Sequence, residues 1–313
     1  MRPFRQATLV TLLVLLLSSA ALATELEERF LCYVAVDRTR EGSTVMLLDL
    51  GEPLLPRPLT RSHDADGNPI LATNVTVAPD GQRLAFEAQA GYYGDYEIYL
   101  ADLQNPGIYR NFTRNDADDS FPAWSPDGTM IALFRGVESG EGHELYVIDA
   151  AEGEISRKLT SSGTLKSHAA WHPDSVRLVY TGVDENGDDE IYLTDALGSF
   201  SEKLTDNDWP DYDPTWHPDG RRLAICTAVP DDEAGNENYD IILLDTVDGS
   251  LEYLVQSPGL DINPSFSADG EYMVFASDRF GNFELFVYEL DSGFVRQVTY
   301  NDASDDLFPV WID

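Results

Sequence analysis

The chain has 313 residues, with 56 Asp and Glu against 20 Lys and Arg, and its formal net charge is −36 at pH 7. A balance this acidic repels nucleic acid and anionic membrane surfaces, so we expect neither as a partner. Such a charge suits a protein that binds cations or basic peptides, or a protein whose solubility depends on acid-rich loops.

The N-terminus has the three parts of a signal peptide. Arg2 and Arg5 form a positive region, Leu9–Leu17 is apolar, and Ala21-Leu22-Ala23 resembles a cleavage site. The apolar run is short for a membrane span, although an uncleaved N-terminal anchor is the alternative. We therefore expect a signal peptide at 1–23, a single domain at 24–313, and a periplasmic or secreted monomer without stable membrane insertion.

One phrase recurs along the rest of the chain. Three of its copies end in a Pro-Asp-Gly turn, and two end in the variants Pro-Asp-Ser and Ala-Asp-Gly. Its aromatic or apolar position falls at Val77, Trp124, Trp171, Trp216, Phe266 and Trp311. The steps between these positions are 47, 47, 45, 50 and 45 residues. A regular period near 45, built from short strands and turn residues, is typical of a propeller with one blade per repeat.

The two ends of the chain complete each other in this pattern. Phe30–Val36 and Thr44–Leu50 have the character of second and third strands, Pro58–Thr60 that of a fourth, and no first strand precedes them. Phe308–Ile312 supplies a first strand with nothing after it. The sequence thus predicts an all-β fold, a six-bladed propeller of four-stranded antiparallel blades, closed by pairing the C-terminal strand with the N-terminal blade.

Two cysteines raise the question of a disulfide in an exported protein. Cys32 and Cys226 both align with second strands, and the repeat register places a whole blade between them. A disulfide requires Cα atoms within about 7 Å. We therefore predict two buried free thiols.

The repeated phrase resembles the repeat of TolB-like propellers. The resemblance rests on Pro-x-Trp-Ser-Pro-Asp-Gly followed by a short apolar strand, and on the segment Ser277–Phe286, which continues as Ser-Asp-Arg-x-Gly-x-x-Glu. It implies a six-bladed propeller in the bacterial envelope whose channel mouth binds partners. TolB itself carries an α/β domain before its propeller, which this sequence lacks, so we expect a stand-alone TolB-like propeller. Peptidases of the prolyl oligopeptidase kind and oligogalacturonate lyases share the repeat, so fold alone does not fix function.

Two positions before each repeated aromatic residue are candidates for a site at the channel mouth. Five residues ahead, four repeats carry an acid: Asp119, Asp211, Asp261 and Asp306. Three residues ahead, the repeats carry Asn74, Phe121, His168, Asp213, Asn263 and Phe308. If the first strand is innermost, both sets approach one opening, and the four acids could hold Ca²⁺ or a cationic group. The alternative is that each Asp caps its own loop.

The sequence offers little for catalysis. It contains no Gly-x-Ser-x-Gly elbow, no nucleotide-binding loop and no cluster of three His. The acidic segment Asp184–Glu190 fits a hairpin turn better than a calcium loop. We predict a non-catalytic binding or scaffold propeller. It would engage a peptide or a protein, either of which could be basic, or a cell-envelope component at the channel mouth. A channel-metal-dependent propeller enzyme, lactonase-like or polysaccharide-lyase-like, is the alternative.

Overall fold

The structure is a computed structural model, which describes residues 26, 29–38, 42–51, 54–64, 66–90, 94–137, 142–153, 155–161, 163–231 and 236–312. The predicted signal peptide at 1–23 lies outside these residues. None of the described residues belongs to a helix of the length and apolar character that a membrane span requires.

The described strands form six sheets of four antiparallel strands, which confirms the predicted propeller. Blade 1 consists of β1 (Phe30–Asp37), β2 (Gly42–Asp49), β3 (Arg57–Pro58) and β24 (Ser304–Ile312). Blade 2 consists of β4 (Ile70–Val77), β5 (Arg83–Ala90), β6 (Tyr96–Asp102) and β7 (Tyr109–Asn111). Blade 3 consists of β8 (Asp119–Trp124), β9 (Met130–Gly136), β10 (His143–Asp149) and β11 (Ile155–Lys158). Blade 4 consists of β12 (Lys166–Trp171), β13 (Arg177–Val183), β14 (Asp189–Asp195) and β15 (Ser201–Lys203). Blade 5 consists of β16 (Asp211–Trp216), β17 (Arg222–Asp231), β18 (Asn236–Asp245) and β19 (Leu251–Val255). Blade 6 consists of β20 (Asp261–Phe266), β21 (Tyr272–Ser277), β22 (Glu284–Glu289) and β23 (Val295–Gln297).

The ring closes through blade 1, as the sequence predicts. Strand β24 pairs antiparallel with β1, from Phe30 opposite Ile312 to Asp37 opposite Ser304. The first strand of each blade contacts the first strands of its two neighbours, so these six strands surround the central axis. Pairing with β24 covers the edge of β1 that would otherwise be free.

The core is divided into six clusters of buried apolar side chains, and each cluster lies between two neighbouring blades. Trp171 illustrates the arrangement, because its ring joins Phe134 of the preceding blade in one cluster. Its indole Nε1 also donates to the carbonyl of Ala123 in that blade, at 3.0 Å. The repeated aromatic position therefore connects each blade to the one before it.

The turn after the aromatic position connects blades in the opposite direction. Gly220 has a φ of 67°, and a Cβ there would lie 2.8 Å from the Nε2 of His172. The same His172 nitrogen lies 2.9 Å from the Gly220 carbonyl oxygen, and His217 makes the equivalent contact with Gly270. These two histidines thus hold neighbouring turns together, as expected for structural residues.

The cysteine prediction is confirmed. Cys32 in β1 and Cys226 in β17 are both free and fully buried, and blade 6 lies between their blades. Burial raises the pKa of both thiols well above the ordinary range. Both cysteines pack as small apolar side chains in the clusters between blades.

Candidate functional site

One residue in each innermost strand adopts a left-handed backbone, and we call these six residues the collar. The collar consists of Asn74, Phe121, His168, Asp213, Asn263 and Phe308, whose φ angles lie between 47° and 53°. At each of them the pairing with the second strand shifts register. A left-handed backbone costs a non-glycine residue about 1–2 kcal/mol. Its repetition in all six blades means that the bulge in each ladder imposes it.

The collar separates two cavities on the central axis. On the side where the innermost strands begin, a cavity of about 520 Å³ opens outward, and we call it the funnel. Beyond the collar, a channel cavity of about 290 Å³ follows the innermost strands towards the repeated aromatic residues. All six collar residues line both cavities. A ligand that enters the funnel therefore meets the collar before it meets the channel.

Aromatic side chains dominate the funnel. Six rings line it: Tyr96, Phe121, Tyr212, Tyr239, Phe283 and Phe308. Its charged lining in the described residues consists of the carboxylates Glu87 and Asp213, with His168 beside them, and it includes no Lys or Arg. Aromatic faces and carboxylates both attract cations, so the lining suits a ligand that combines apolar surface with positive charge.

Glu87 is the buried acid on one side of the collar. Its Oε2 accepts hydrogen bonds from the backbone N–H of Phe121 at 2.9 Å and from the Nδ2 of Asn74 at 2.8 Å. Burial raises the pKa of Glu87, and the hydrogen bonds from Phe121 and Asn74 oppose that rise. Glu87 thereby joins the collar residues of blades 2 and 3.

Asp213 has the equivalent role on the other side. Its Oδ2 accepts from the backbone N–H of Asn263 at 3.1 Å and from the Nδ2 of Asn263 at 2.8 Å, while its Oδ1 lies 3.0 Å from the Nε2 of His168. His168 in turn packs against the ring of Phe121, with 4.2 Å between the ring centroids. The Oδ1 of Asn263 accepts from the backbone N–H of Phe308 at 3.3 Å. Contacts therefore run from Asn74 around the collar to Phe308, which fixes the floor of the funnel.

The structure differs from expectation at the four repeated acids. Their side chains are completely buried, and none of them lines the funnel or the channel: Asp119, Asp211, Asp261 and Asp306. Each is hydrogen-bonded to residues of its own blade or of the loop that leads into it. Asp119 pairs with Arg135 at 2.6 Å, and Asp261 pairs with Arg279 at 2.8 Å. The structure thus separates the two predicted sets, because the six collar residues named with them do line the cavities.

Three of these acids share an asparagine with a glutamate of the preceding blade. Asn115 donates its backbone N–H to Glu97 at 2.8 Å and its side-chain amide to Asp119 at 2.6 Å. Asn207 joins Glu190 to Asp211 in the same way, and Asn301 joins Glu284 to Asp306. The geometry favours the loop-capping interpretation of these residues over a shared cation site.

The metal hypothesis for the four acids gains no geometric support. Among the described residues, the group of three possible ligands within 4.8 Å of one another is Asp184, Glu190 and Asp206. The Nζ of Lys203 lies 2.9 Å from Asp184 and 2.6 Å from Asp206, so an ammonium already pairs with two of these three carboxylates. Asp184 also accepts the backbone N–H groups of its hairpin, which fits the predicted turn.

Several funnel residues were not anticipated from the sequence. Glu87 occupies a second-strand position where blades 5 and 6 carry Cys226 and Ala276, and this departure was the available signal. The collar backbone also had a signal, because Pro follows the left-handed residue in four blades. A proline inside a strand indicates a bulge or an irregular ladder. No such signal marked Tyr239 and Phe283 in the aromatic wall, because these residues reach the funnel through the hairpins of their blades.

Comparison with known proteins supports the propeller fold and its likeness to TolB. The family described as the TolB beta propeller domain matches residues 211–311. A segment of 50 residues is 48% identical to the protein TolB homolog of Chlorobium luteolum and spans 16% of this chain and 12% of that relative. The chain thus matches only a small part of that relative's length, and similarity to it carries no activity or partner by itself.

Two solved structures show the same fold at low identity. TolB from Acinetobacter baumannii superposes with a TM-score of 0.74 at 22% identity, covering 91% of this chain and 67% of that one. Kuenenia stuttgartiensis hydrazine synthase superposes with a TM-score of 0.72 at 14% identity, covering 91% of this chain and 46% of that one. Since the second is named as an enzyme, the shared fold does not by itself decide between binding and catalysis.

Proposed function

Because the chain is a TolB-like six-bladed propeller, we propose that it is an exported, non-catalytic binding or scaffold protein. Its partner would be a peptide, a protein or another component of the cell envelope, engaged at the funnel. The collar carries this proposal. Six strained residues, the buried carboxylate of Glu87 and the half-buried carboxylate of Asp213 hold the funnel floor in one geometry, and such preorganisation lowers the cost of binding.

The lining indicates the chemistry of the partner. Glu87 and Asp213 provide negative charge at the floor, and aromatic rings provide the walls. The net charge of −36 adds an attractive field for basic partners at longer range. A basic segment that places one apolar or cationic side chain against the collar satisfies both features.

The enzymatic alternative has no comparable support. A metal enzyme of the lactonase or lyase kind needs several ligands that converge on the channel. In the described part of the chain, the converging group lies around the β13–β14 hairpin and the loop after β15, and the ammonium of Lys203 already pairs with two of its three acids. The acids expected at the channel are instead engaged between blades.

A crosslinking experiment tests the binding site. A photoreactive amino acid replaces Phe280, which is 73% exposed on the β21–β22 hairpin, or Val247, which is 75% exposed on the β18–β19 turn at the opposite face. We expect defined adducts with envelope extract from position 280 and none from position 247. Asp213→Asn should reduce the 280 adduct, because it removes charge from the funnel floor. Identical adducts from both positions, or none from 280, would contradict the proposal, and cell fractionation tests export separately.

A further inference from the structure

In blades 3 and 6 an arginine covers the aromatic ring of the third strand. The guanidinium of Arg135 lies 5.6 Å from the ring centroid of Tyr146 and pairs with Asp119 of the innermost strand. The guanidinium of Arg279 lies 4.6 Å from the ring centroid of Phe286 and pairs with Asp261 in the same manner. A planar cation thus fills the space between an acid and an aromatic ring.

Blade 4 keeps the aromatic rings and loses the arginine. Tyr180 and Tyr192 stack with 5.5 Å between centroids and 17° between planes. The innermost-strand position of Asp119 is taken by Lys166, and the residue paired with it, which corresponds to Arg135, is Gly182. A cavity of about 620 Å³ lies here, which we call the blade 4 cavity. Its volume falls in the range of small-molecule binding sites.

The lining of the blade 4 cavity is aromatic and rich in hydroxyl groups. Six of its fourteen lining residues carry a hydroxyl: Thr160, Ser161, Thr164, Tyr180, Tyr192 and Ser201. Leu159, Val183 and Phe200 add apolar surface, and Phe200 is 41% exposed at the edge. Hydroxyl groups both donate and accept hydrogen bonds, so this lining matches a ligand that does the same.

The charges in the cavity select against an ionic ligand. Lys166 would repel the guanidinium that occupies this space in blades 3 and 6. Its own charge is balanced, because the Nζ of Lys166 lies 3.5 Å from Glu144 and donates to the carbonyl of Thr164 at 3.1 Å. Asp184 lies 2.9 Å from the Nζ of Lys203, and Glu185, the third charged residue of the lining, is exposed to solvent. A neutral ligand avoids stranding any of these charges.

From these observations we propose that the blade 4 cavity binds a neutral saccharide ring. The C–H face of a sugar packs on an aromatic ring, and its hydroxyl groups exchange hydrogen bonds with Ser, Thr and Tyr side chains. Tyr192 provides the stacking surface, and Gly182 leaves the space open. The hydroxyl groups of Ser201 and Tyr180 are hydrogen-bonded to each other at 2.8 Å, and Ser201 is the exposed one of the two that a sugar hydroxyl would contact. The site lies apart from the funnel and does not depend on the function proposed for it.

Saturation-transfer NMR tests this proposal with four probes at millimolar concentration: glucose, galactose, mannose and N-acetylglucosamine. We expect transfer from the protein to at least one of them. The double variant Lys166→Asp, Gly182→Arg rebuilds the arrangement of Asp119 and Arg135 and should abolish that transfer by filling the cavity. A Cβ at Gly182 would lie 3.2 Å from the Tyr180 ring, so a thermal melt must show that the variant folds.

Two further variants make the result decisive. Tyr192→Leu removes the stacking ring without adding atoms and should also abolish transfer. Tyr99→Leu removes the ring at the same register in blade 2, where Tyr109 covers it, and should leave transfer intact. No transfer from any of the four sugars would overturn the proposal. Transfer that survives in Tyr192→Leu, or that is also lost in a folded Tyr99→Leu, would overturn it as well.

Discussion

Asp306 and Glu284 are two acids on neighbouring blades that share a single asparagine. The backbone N–H of Asn301 donates to Glu284 at 2.7 Å, and its side-chain amide donates to Asp306 at 3.1 Å. Burial, together with the nearby Glu284 carboxylate, raises the pKa of Asp306 to about 6 against the hydrogen bonds that lower it. The same arrangement at Glu190 and Asp211 raises the pKa of both carboxyls, mainly through burial. Asp306, Glu190 and Asp211 therefore resist ionisation.

This arrangement predicts that the protein becomes more stable as the pH falls from 8 to about 5. The folded pKa of Asp306 lies above its ordinary value of 3.8, so the folded state binds a proton that the unfolded state does not. Its contribution to the free energy of unfolding therefore grows as the pH falls through 6 and is complete near 4. Urea unfolding at a series of pH values measures this slope.

Asp306→Asn isolates the residue. The variant should raise the free energy of unfolding at pH 8 by up to about 3 kcal/mol and leave it nearly unchanged at pH 4, because it removes the buried charge. Asp302→Asn, an exposed acid of the same loop, changes net charge equally and should have little effect. An Asp306→Asn protein that is equally destabilised at both pH values would contradict this account.

The fold was predictable because it is repeated. Six copies of one phrase reinforce one another, and the C-terminal strand around Trp311 had a single gap to fill beside Phe30–Asp37. Register within the repeat also predicted the fate of Cys32 and Cys226. Such inferences need only the order of strands, which periodicity reports directly.

The site was predictable only in part, because period alone does not give side-chain direction at a bulge. The collar residues reached the axis as predicted, whereas Asp211 and Asp261, two residues earlier, are buried between blades. Alternation in a regular strand would place both positions on the same face. The left-handed residue at Asp213 or Asn263 breaks that alternation, and the sequence indicates it only through the following proline.

Asp261→Asn should destabilise the protein whether or not calcium is present. The substitution leaves the guanidinium of Arg279 beside Phe286 without its acid, and loss of one partner from a buried ion pair costs about 3–5 kcal/mol. Thermal melts with and without Ca²⁺ at fixed ionic strength measure the effect. Asp291→Asn, an exposed acid of blade 6, is the control. A Ca²⁺ stabilisation of the parent that disappears in Asp261→Asn would instead support the cation site expected from the sequence.

The two thiols should be inert in the native protein. Burial of Cys32 and Cys226 raises their pKa values and excludes reagents, and the thiolate is the reactive form. We expect no alkylation by iodoacetamide in native buffer and two additions in denaturant, counted by mass spectrometry. Rapid native labelling of Cys226 would show that the funnel wall opens there, and a protein two mass units lighter would reveal a disulfide and a different blade register.

Trp171 and Trp216 occupy the same position in neighbouring blades but differ in one hydrogen bond. The indole N–H of Trp171 donates to Ala123, whereas that of Trp216 is buried without a hydrogen-bond partner among the described residues. Trp→Phe removes the same volume at both sites, and the two residues are equally buried, because both are 7% exposed. At Trp171 it also removes the indole donor to the carbonyl of Ala123, a half-buried residue, and at Trp216 it removes an unsatisfied N–H.

Trp171→Phe should therefore lower the free energy of unfolding by about 1–3 kcal/mol more than Trp216→Phe, because it loses a hydrogen bond, whereas Trp216→Phe removes a buried N–H whose lack of a partner costs that much. Urea unfolding of both variants gives the two values. The edge contact between His172 and Trp216, at 4.7 Å, can be retained by a phenyl ring, so it should not obscure the comparison. Equal losses at the two sites would mean that water reaches the Trp216 N–H. A larger loss at Trp216 would mean that the indole there makes a contact that its burial alone does not reveal.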